Sequence, residues 1–174
     1  MVQPNRNSGY KPHGQQGAGR PSYGGQSPTA QLPTPVPLNY YSDPDKKQPR
    51  ADLLDDYARE IADRLVPIKN KDDKENLKAT QMRRFYDELK AIERKIMSGK
   101  DLQEQQANFE RDRALIVMFK AKAVYAEKRK VAPRAFTQFI FDHVASIKDL
   151  ADFKGFLKVF EAVVAFHKFY SPEK

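Results

Sequence analysis

From Asp52 onward the apolar residues recur at steps of three and four, and no stretch alternates with a period of two. The spacing of Leu53, Leu54, Tyr57, Ile61 and Leu65 predicts a first helix over 52–65, stopped by Pro67 and followed by a charged loop from Lys69 to Glu75. Thr80 is a candidate N-cap for a second helix, in which Met82, Phe85, Leu89, Ile92 and Ile96 form one stripe and Gly99 stands as the C-cap. Asp101 and Glu104 have capping-box spacing, so a helix can restart there and either run into or pack beside the segment from Phe109 onward. From Phe109 to Ala126 that segment is apolar nearly all round, which predicts a central helix. Pro133 suits the first turn of the next helix, lined by Phe136, Phe139, Ile140, Val144 and Ile147. Asp149 caps the last, which carries Phe153, Phe156, Leu157, Phe160, Val163 and Val164.

The expected fold is therefore all-α: a single bundle of about five helices over residues 51–174. A second row on the last helix, Val159, Ala162, Phe166 and Phe169, leaves only a narrow polar strip. That helix is either central or meets a partner, and Phe166 and Phe169 are the candidate self-association residues.

Composition changes the picture before residue 51. Residues 1–50 hold 9 of the 12 prolines and 6 of the 8 glycines, with few aliphatic side chains. Such a stretch cannot bury enough surface to offset the entropy of ordering, so a disordered Gly/Pro-rich tail is expected there. Tyr10, Tyr23, Tyr40 and Tyr41 within it are either parts of a solvated linker or bases' stacking partners.

The chain has 174 residues, 31 of them Lys or Arg against 23 Asp or Glu, for a net charge of +8. Half of that charge, +4, lies in the first fifty residues. A basic balance points to nucleic acid or another acidic surface and says nothing of fold. Cysteine is absent, which excludes disulfides and thiolate chemistry. No apolar run is long enough to cross a membrane, and the N-terminus lacks the apolar core of a secretory signal, so no membrane partner and a cytoplasmic location are expected.

The strongest local charge runs from Lys120 to Arg134, where Lys120, Lys122, Lys128, Arg129, Lys130 and Arg134 face only Glu127. On the second helix Arg83, Lys90 and Arg94 fall within about 40° of one another at some 100° per residue, opposite the apolar stripe. Arg84 and Lys95 flank them. Lys122 sits among apolar wheel neighbours, so it must snorkel out, pair with a carboxylate or meet a phosphate. His13, His143 and His167 are scattered without metal-ligand spacing; His143 reads as a helix-surface residue and His167 as a core or boundary one. With no phosphate-cradling glycine loop and no singled-out acid–base pair, no catalytic residues, metal or cofactor are expected. Basic clusters on rigid helices suit sequence-independent contact with a phosphate backbone. The competing reading is a helical protein-interaction adaptor whose basic face meets an acidic partner.

Three blocks carry a resemblance. TQMRRFYDELKAIERKI, Thr80 to Ile96, is similar to the Thr-Gln-x-Arg-(Arg/Lys)-Phe-Tyr-(Asp/Glu) signature that opens the domain of the small helical subunit of type III-A CRISPR–Cas effector complexes, the Csm complexes. AKAVYAEKRK, Ala121 to Lys130, resembles that family's Lys-x-x-Tyr-Ala helix, and FKGFLKVFEAVVAFHKFY, Phe153 to Tyr170, its closing Phe-rich helix. The long Gly/Pro-rich tail departs from the compact family pattern.

The resemblance implies a catalytically inert bundle, several copies of which form an inner filament beside the other Csm subunits. It implies contact with the duplex of CRISPR RNA (crRNA) and target RNA, chiefly through phosphates, while cleavage and cyclic oligoadenylate synthesis belong to other subunits. Arg83, Arg84, Lys122, Tyr125 and Arg129 match the motifs, with Arg83 and Arg129 the leading phosphate contacts. Lys122 and Tyr125 lie within an apolar helix, so a structural role stays open for both. Lys90, Arg94, Lys120, Lys130 and Arg134 join the RNA-binding set by charge alone.

Overall fold

The computed structural model describes residues 31–66 and 77–171. Residues 1–30, with Tyr10, His13 and Tyr23, lie outside the described residues, as do Pro67 and the loop from Lys69 to Glu75. The helices are α1 (Ala51–Leu54), α2 (Asp56–Leu65), α3 (Ala79–Met97), α4 (Leu102–Lys128), α5 (Arg134–Ser146) and α6 (Leu150–Tyr170). Among the described residues the unit is all-α, with only an isolated antiparallel bridge, Tyr41 to Pro49.

The expected first helix is present as α1 and α2, broken at Asp55, whose φ and ψ are −118° and −88°. Hydrogen bonding runs through the break: the Asp55 N–H donates to Ala51 O and the Arg59 N–H to Asp55 O. Val66 caps α2 with ψ 143°, the extended conformation forced on a residue that precedes proline. Thr80 is not the cap of α3. That helix starts at Ala79 with Lys78 as its N-cap, two residues before a Thr80 cap would place it, and the Gln81 side chain accepts from the Lys78 N–H at 3.1 Å. α3 ends at Met97 with Ser98 as C-cap, so Gly99 is needed for another reason. A Cβ on Gly99 would stand 2.7 Å from the Gln105 nitrogen, where α4 turns back. Asp101 caps α4 through the Glu104 N–H at 2.8 Å, and Asp149 caps α6 through the Asp152 N–H at 2.9 Å. Pro133 is the N-cap of α5 rather than part of its first turn.

α6 is the central helix, packed on α1, α2, α3 and α4, with its rings meeting those of α5. Its Phe153, Phe156 and Phe160 are fully buried. Each contributes about 1.5–3 kcal/mol relative to exposure. The expectation of a central α4 is overturned. α4 buries one strip, Phe109, Asp112, Ile116, Phe119, Ala123 and Ala126, and leaves Leu115, Val117, Met118 and Tyr125 exposed. An apolar helix with a bare outer face has the same all-round composition as a buried one, so composition could not separate them.

Among the described residues, those from Leu32 onward pack as one compact unit, so packed structure is present before residue 51. From Leu32 to Arg50 the chain forms a strap along α5 and the start of α6. Prolines at 33, 35 and 37 leave every second amide free to donate. The Val36 N–H donates to Asp142 Oδ1 at 2.8 Å and the Leu38 N–H to Ser146 Oγ at 2.7 Å. Two extended residues and four helical residues each advance roughly 6 Å, so the two periods match. Beyond, Lys46 adopts φ 56° and its ammonium bonds Asp149 Oδ2 and Asp152 Oδ1, both at 2.6 Å, at the start of α6.

Tyr40 and Tyr41 are therefore core residues, 2% and 9% exposed, and not partners for bases. Tyr40 packs on Gly155 of α6, where a Cβ would come within 2.6 Å of the Tyr40 Cβ. His143 is likewise no surface residue. It is fully buried, stacked against Phe156 at 4.9 Å. His167 is buried as its apolar stripe predicts, and its Nε2 has no hydrogen-bond partner among the described residues.

Candidate nucleic-acid interface

α3 and α4 run side by side, and the C-terminal half of α4 meets the N-terminal half of α3 along a groove. The groove is lined by Arg84, Phe85 and Glu88 from α3 and by Lys122, Tyr125 and Arg129 from α4 and its cap. Phe85 forms the floor and ties it to the core, its ring 4.7 Å from Phe136 and 6.5 Å from Phe119. At the other end of the helix pair, Lys95 crosses to Asp112 of α4 at 2.8 Å. Arg111, which also bonds Asp112 at 2.8 Å, and Lys95 hold that carboxyl down at about 2. The pairing ties α4 to α3 at that end.

Three cations and one carboxylate face the groove. Lys122 reaches out of the helix row and pairs with Glu88, with its ammonium 5.0 Å from the Phe119 centroid. Pairing is thus the outcome among the alternatives open to it. Arg84 and Arg129 meet no carboxylate among the described residues. The Arg129 guanidinium lies 5.5 Å from the centroid of Tyr125, which is 63% exposed.

The C-terminus of α4 is closed by a six-to-one and five-to-two pair of backbone bonds: Val131 N–H to Ala126 O at 3.0 Å and Lys130 N–H to Glu127 O at 2.9 Å. Lys130 occupies the left-handed position with φ 58°, where glycine is usual. Basic residues here also complement the negative end of the helix dipole. The cluster Lys128 to Lys130 therefore has a local structural role beside any ligand.

The nine cations expected to bind RNA fall into separate places. Arg84, Lys122 and Arg129 share the groove. Arg83, Lys90 and Arg94 lie on the outer side of α3, about 100° round from Arg84. There Arg83 bonds Asp87 at 3.0 Å and Lys90 pairs with Glu93, leaving Arg94 exposed. Lys120 is on the far side of Tyr125, its ammonium 5.2 Å over the Phe141 ring. Lys130 is exposed at the α4 cap, and Arg134 bonds Glu127 at 3.2 Å. Two features escaped sequence reasoning: Glu88 as the acid of the groove, and the exposure of Tyr125. Wheel angles place Tyr125 well away from the buried Phe119–Ala123–Ala126 strip, and that was the available signal.

Among the described residues, no three His, Asp or Glu side chains converge to hold a metal ion, and no helix is long and apolar enough to cross a membrane. No curated protein and no solved structure matches the chain. A family model described as Csm2 Type III-A matches residues 48–173, which takes in the six helices of the described residues. The chain therefore belongs to the Csm2 Type III-A family, the small helical subunit of type III-A CRISPR–Cas effector complexes.

Proposed function

We propose that this chain is a non-catalytic RNA-binding subunit of a cytoplasmic, RNA-guided antiviral complex. It contacts the crRNA–target RNA backbone, sits among the other Csm subunits, and associates with copies of itself in an inner filament. The observation that carries this reading is the convergence of Arg84, Lys122 and Arg129 from two helices on one groove. Two arginines there meet no carboxylate among the described residues, so phosphates gain contacts without first breaking an ion pair within them. Arg83, paired with Asp87, is the weaker candidate despite its place in the motif. Lys90, Arg94, Lys120, Lys130 and Arg134 supply the surrounding positive field.

The test is the assembled complex carrying Arg84→Glu with Arg129→Glu, compared with Lys158→Glu on exposed α6 surface. Target RNA binding is measured across a salt series. The double variant should lose affinity and lower the salt slope by about two contacts' worth, while Lys158→Glu matches the wild type. Unchanged binding and unchanged target cleavage in the double variant would sink the reading. The exposed Leu115 and Met118 beside the groove favour the second reading, a helical adaptor for an acidic protein partner. An acidic peptide that binds the isolated chain more tightly than RNA does and displaces RNA from this face would support it.

A further inference from the structure

We propose that Tyr125 is a stacking platform for an unpaired base of single-stranded RNA, with the flanking phosphates held on either side of it. This rests on the RNA-binding reading above and adds a base to a surface otherwise suited to phosphate alone. Tyr125 stands as a ridge between two depressions. One is the α3–α4 groove with Arg84, Lys122 and Arg129. The other is more open and is lined by Leu32, Lys120, Val124, Lys128 and Phe141. An aromatic side chain with cations on both sides is the arrangement that carries a single strand: the ring takes the base, and the cations take the phosphates before and after it.

Folding does not account for this tyrosine. The buried strip of α4 is complete without it, the ring is 63% exposed, and its hydroxyl makes no hydrogen bond among the described residues. The Arg129 guanidinium lies 5.5 Å from the ring centroid, within cation–π range, which sets a cation beside the ring where a phosphate next to a stacked base would fall. The groove, at about 420 Å³, falls in the roughly 300–1,000 Å³ range of small-molecule sites, room enough for one nucleoside. A continuous duplex offers only its backbone and groove edges to such a ridge, because its bases are already stacked on one another. The proposed ligand is therefore an unpaired or extruded nucleotide.

The experiment uses the full chain at low salt with two probes: a short single-stranded RNA carrying one 2-aminopurine, and a fully paired RNA duplex of the same length. The wild type should quench 2-aminopurine fluorescence on binding. Tyr125→Leu should weaken single-strand binding on the order of tenfold, abolish the quenching, and leave duplex binding within about twofold. Tyr125→Phe and Tyr125→Trp should keep both the affinity and the quenching. Absence of quenching by the wild-type chain, equal losses on both probes with Tyr125→Leu, or a Tyr125→Phe as weak as Tyr125→Leu, would overturn the proposal. Arg84→Gln with Arg129→Gln should weaken both probes. If that pair weakens both and Tyr125→Leu neither, the phosphate contacts stand and the stacked base falls. If the arginine pair changes nothing, RNA binding at this groove falls and the platform with it.

Discussion

The Tyr40 hydroxyl lies 2.8 Å from Nδ1 of His143 and fastens the N-terminal strap to the centre of the bundle. On the other side of the ring, the Tyr57 hydroxyl lies 3.1 Å from Nε2. A neutral imidazole has one donor and one acceptor, and two hydroxyls satisfy both in either tautomer. Tyr40→Phe leaves the packing on Gly155 intact and strips one nitrogen of its buried partner. Urea unfolding should show a loss of about 1–2 kcal/mol, with earlier proteolytic cutting within residues 32–50. An unchanged midpoint would mean that the hydroxyl is not what holds the strap.

The same ring makes stability depend on pH. Burial alone pushes the pKa of His143 down to about 3, from an ordinary value of 6.5. The unfolded chain therefore binds a proton between those values and the folded chain does not, so stability rises with pH across that window. The histidine's contribution is complete above about 6.5 and is lost as pH falls toward 3. His167, also pushed down by burial, acts in the same sense. Thermal unfolding followed from pH 8 to pH 4.5 should show a plateau and then a fall, with a slope of up to about 1.4 kcal/mol per pH unit for one histidine. His143→Gln should start from a lower plateau and decline less steeply. A parallel decline would remove His143 as the cause.

Residues 32–50 also mark where the sequence stops being legible. The helices were readable because each carries a stripe at steps of three and four, as α6 does from Phe153 to Val163. The strap has no such stripe. It is held by two amides, two tyrosines and Lys46, each bonded to a residue about a hundred positions away, and local patterning has no access to pairings at that distance. His143 was misjudged for the same reason: both its partners come from other segments. At the groove, the motif residues Arg84, Lys122 and Arg129 were readable, but the pairing of Lys122 with Glu88 depends on which faces of α3 and α4 meet. Tyr125 was ambiguous because an outward apolar face and a buried one look alike in one sequence.

Lys130 allows the structural and ligand roles of the α4 cap to be separated. Its φ of 58° is unfavourable for any residue with a Cβ, by roughly 1–2 kcal/mol in the left-handed region. Part of that returns as extra unfolded-state freedom when glycine replaces it. Lys130→Gly should therefore raise stability by about 0.5–1 kcal/mol in denaturant titration, while removing one cation from the surface proposed to face RNA. A more stable variant with a lower salt slope for RNA binding would assign Lys130 a ligand role maintained against strain. A more stable variant with unaltered RNA binding would leave it as an unfavourable cap residue only.

Phe166 and Phe169 do not offer equal tests of self-association. Phe169 is 81% exposed, with the Tyr170 ring 5.4 Å away edge-on, so an aromatic cluster stands open at the end of α6. Phe166 is half-buried against the core and 6.4 Å from Tyr170. Phe166→Ser removes core packing along with any contact between copies, so a loss of assembly there has two explanations. Phe169→Ser removes a side chain that contributes little to the folded monomer, and its stability should stay within about 0.5 kcal/mol of the wild type. Sedimentation velocity over a concentration series separates the cases. The wild type should shift to faster species as concentration rises, and Phe169→Ser should remain at the monomer value with an unchanged circular dichroism spectrum. Identical concentration dependence in the two proteins would rule out this end of α6 as the contact between copies.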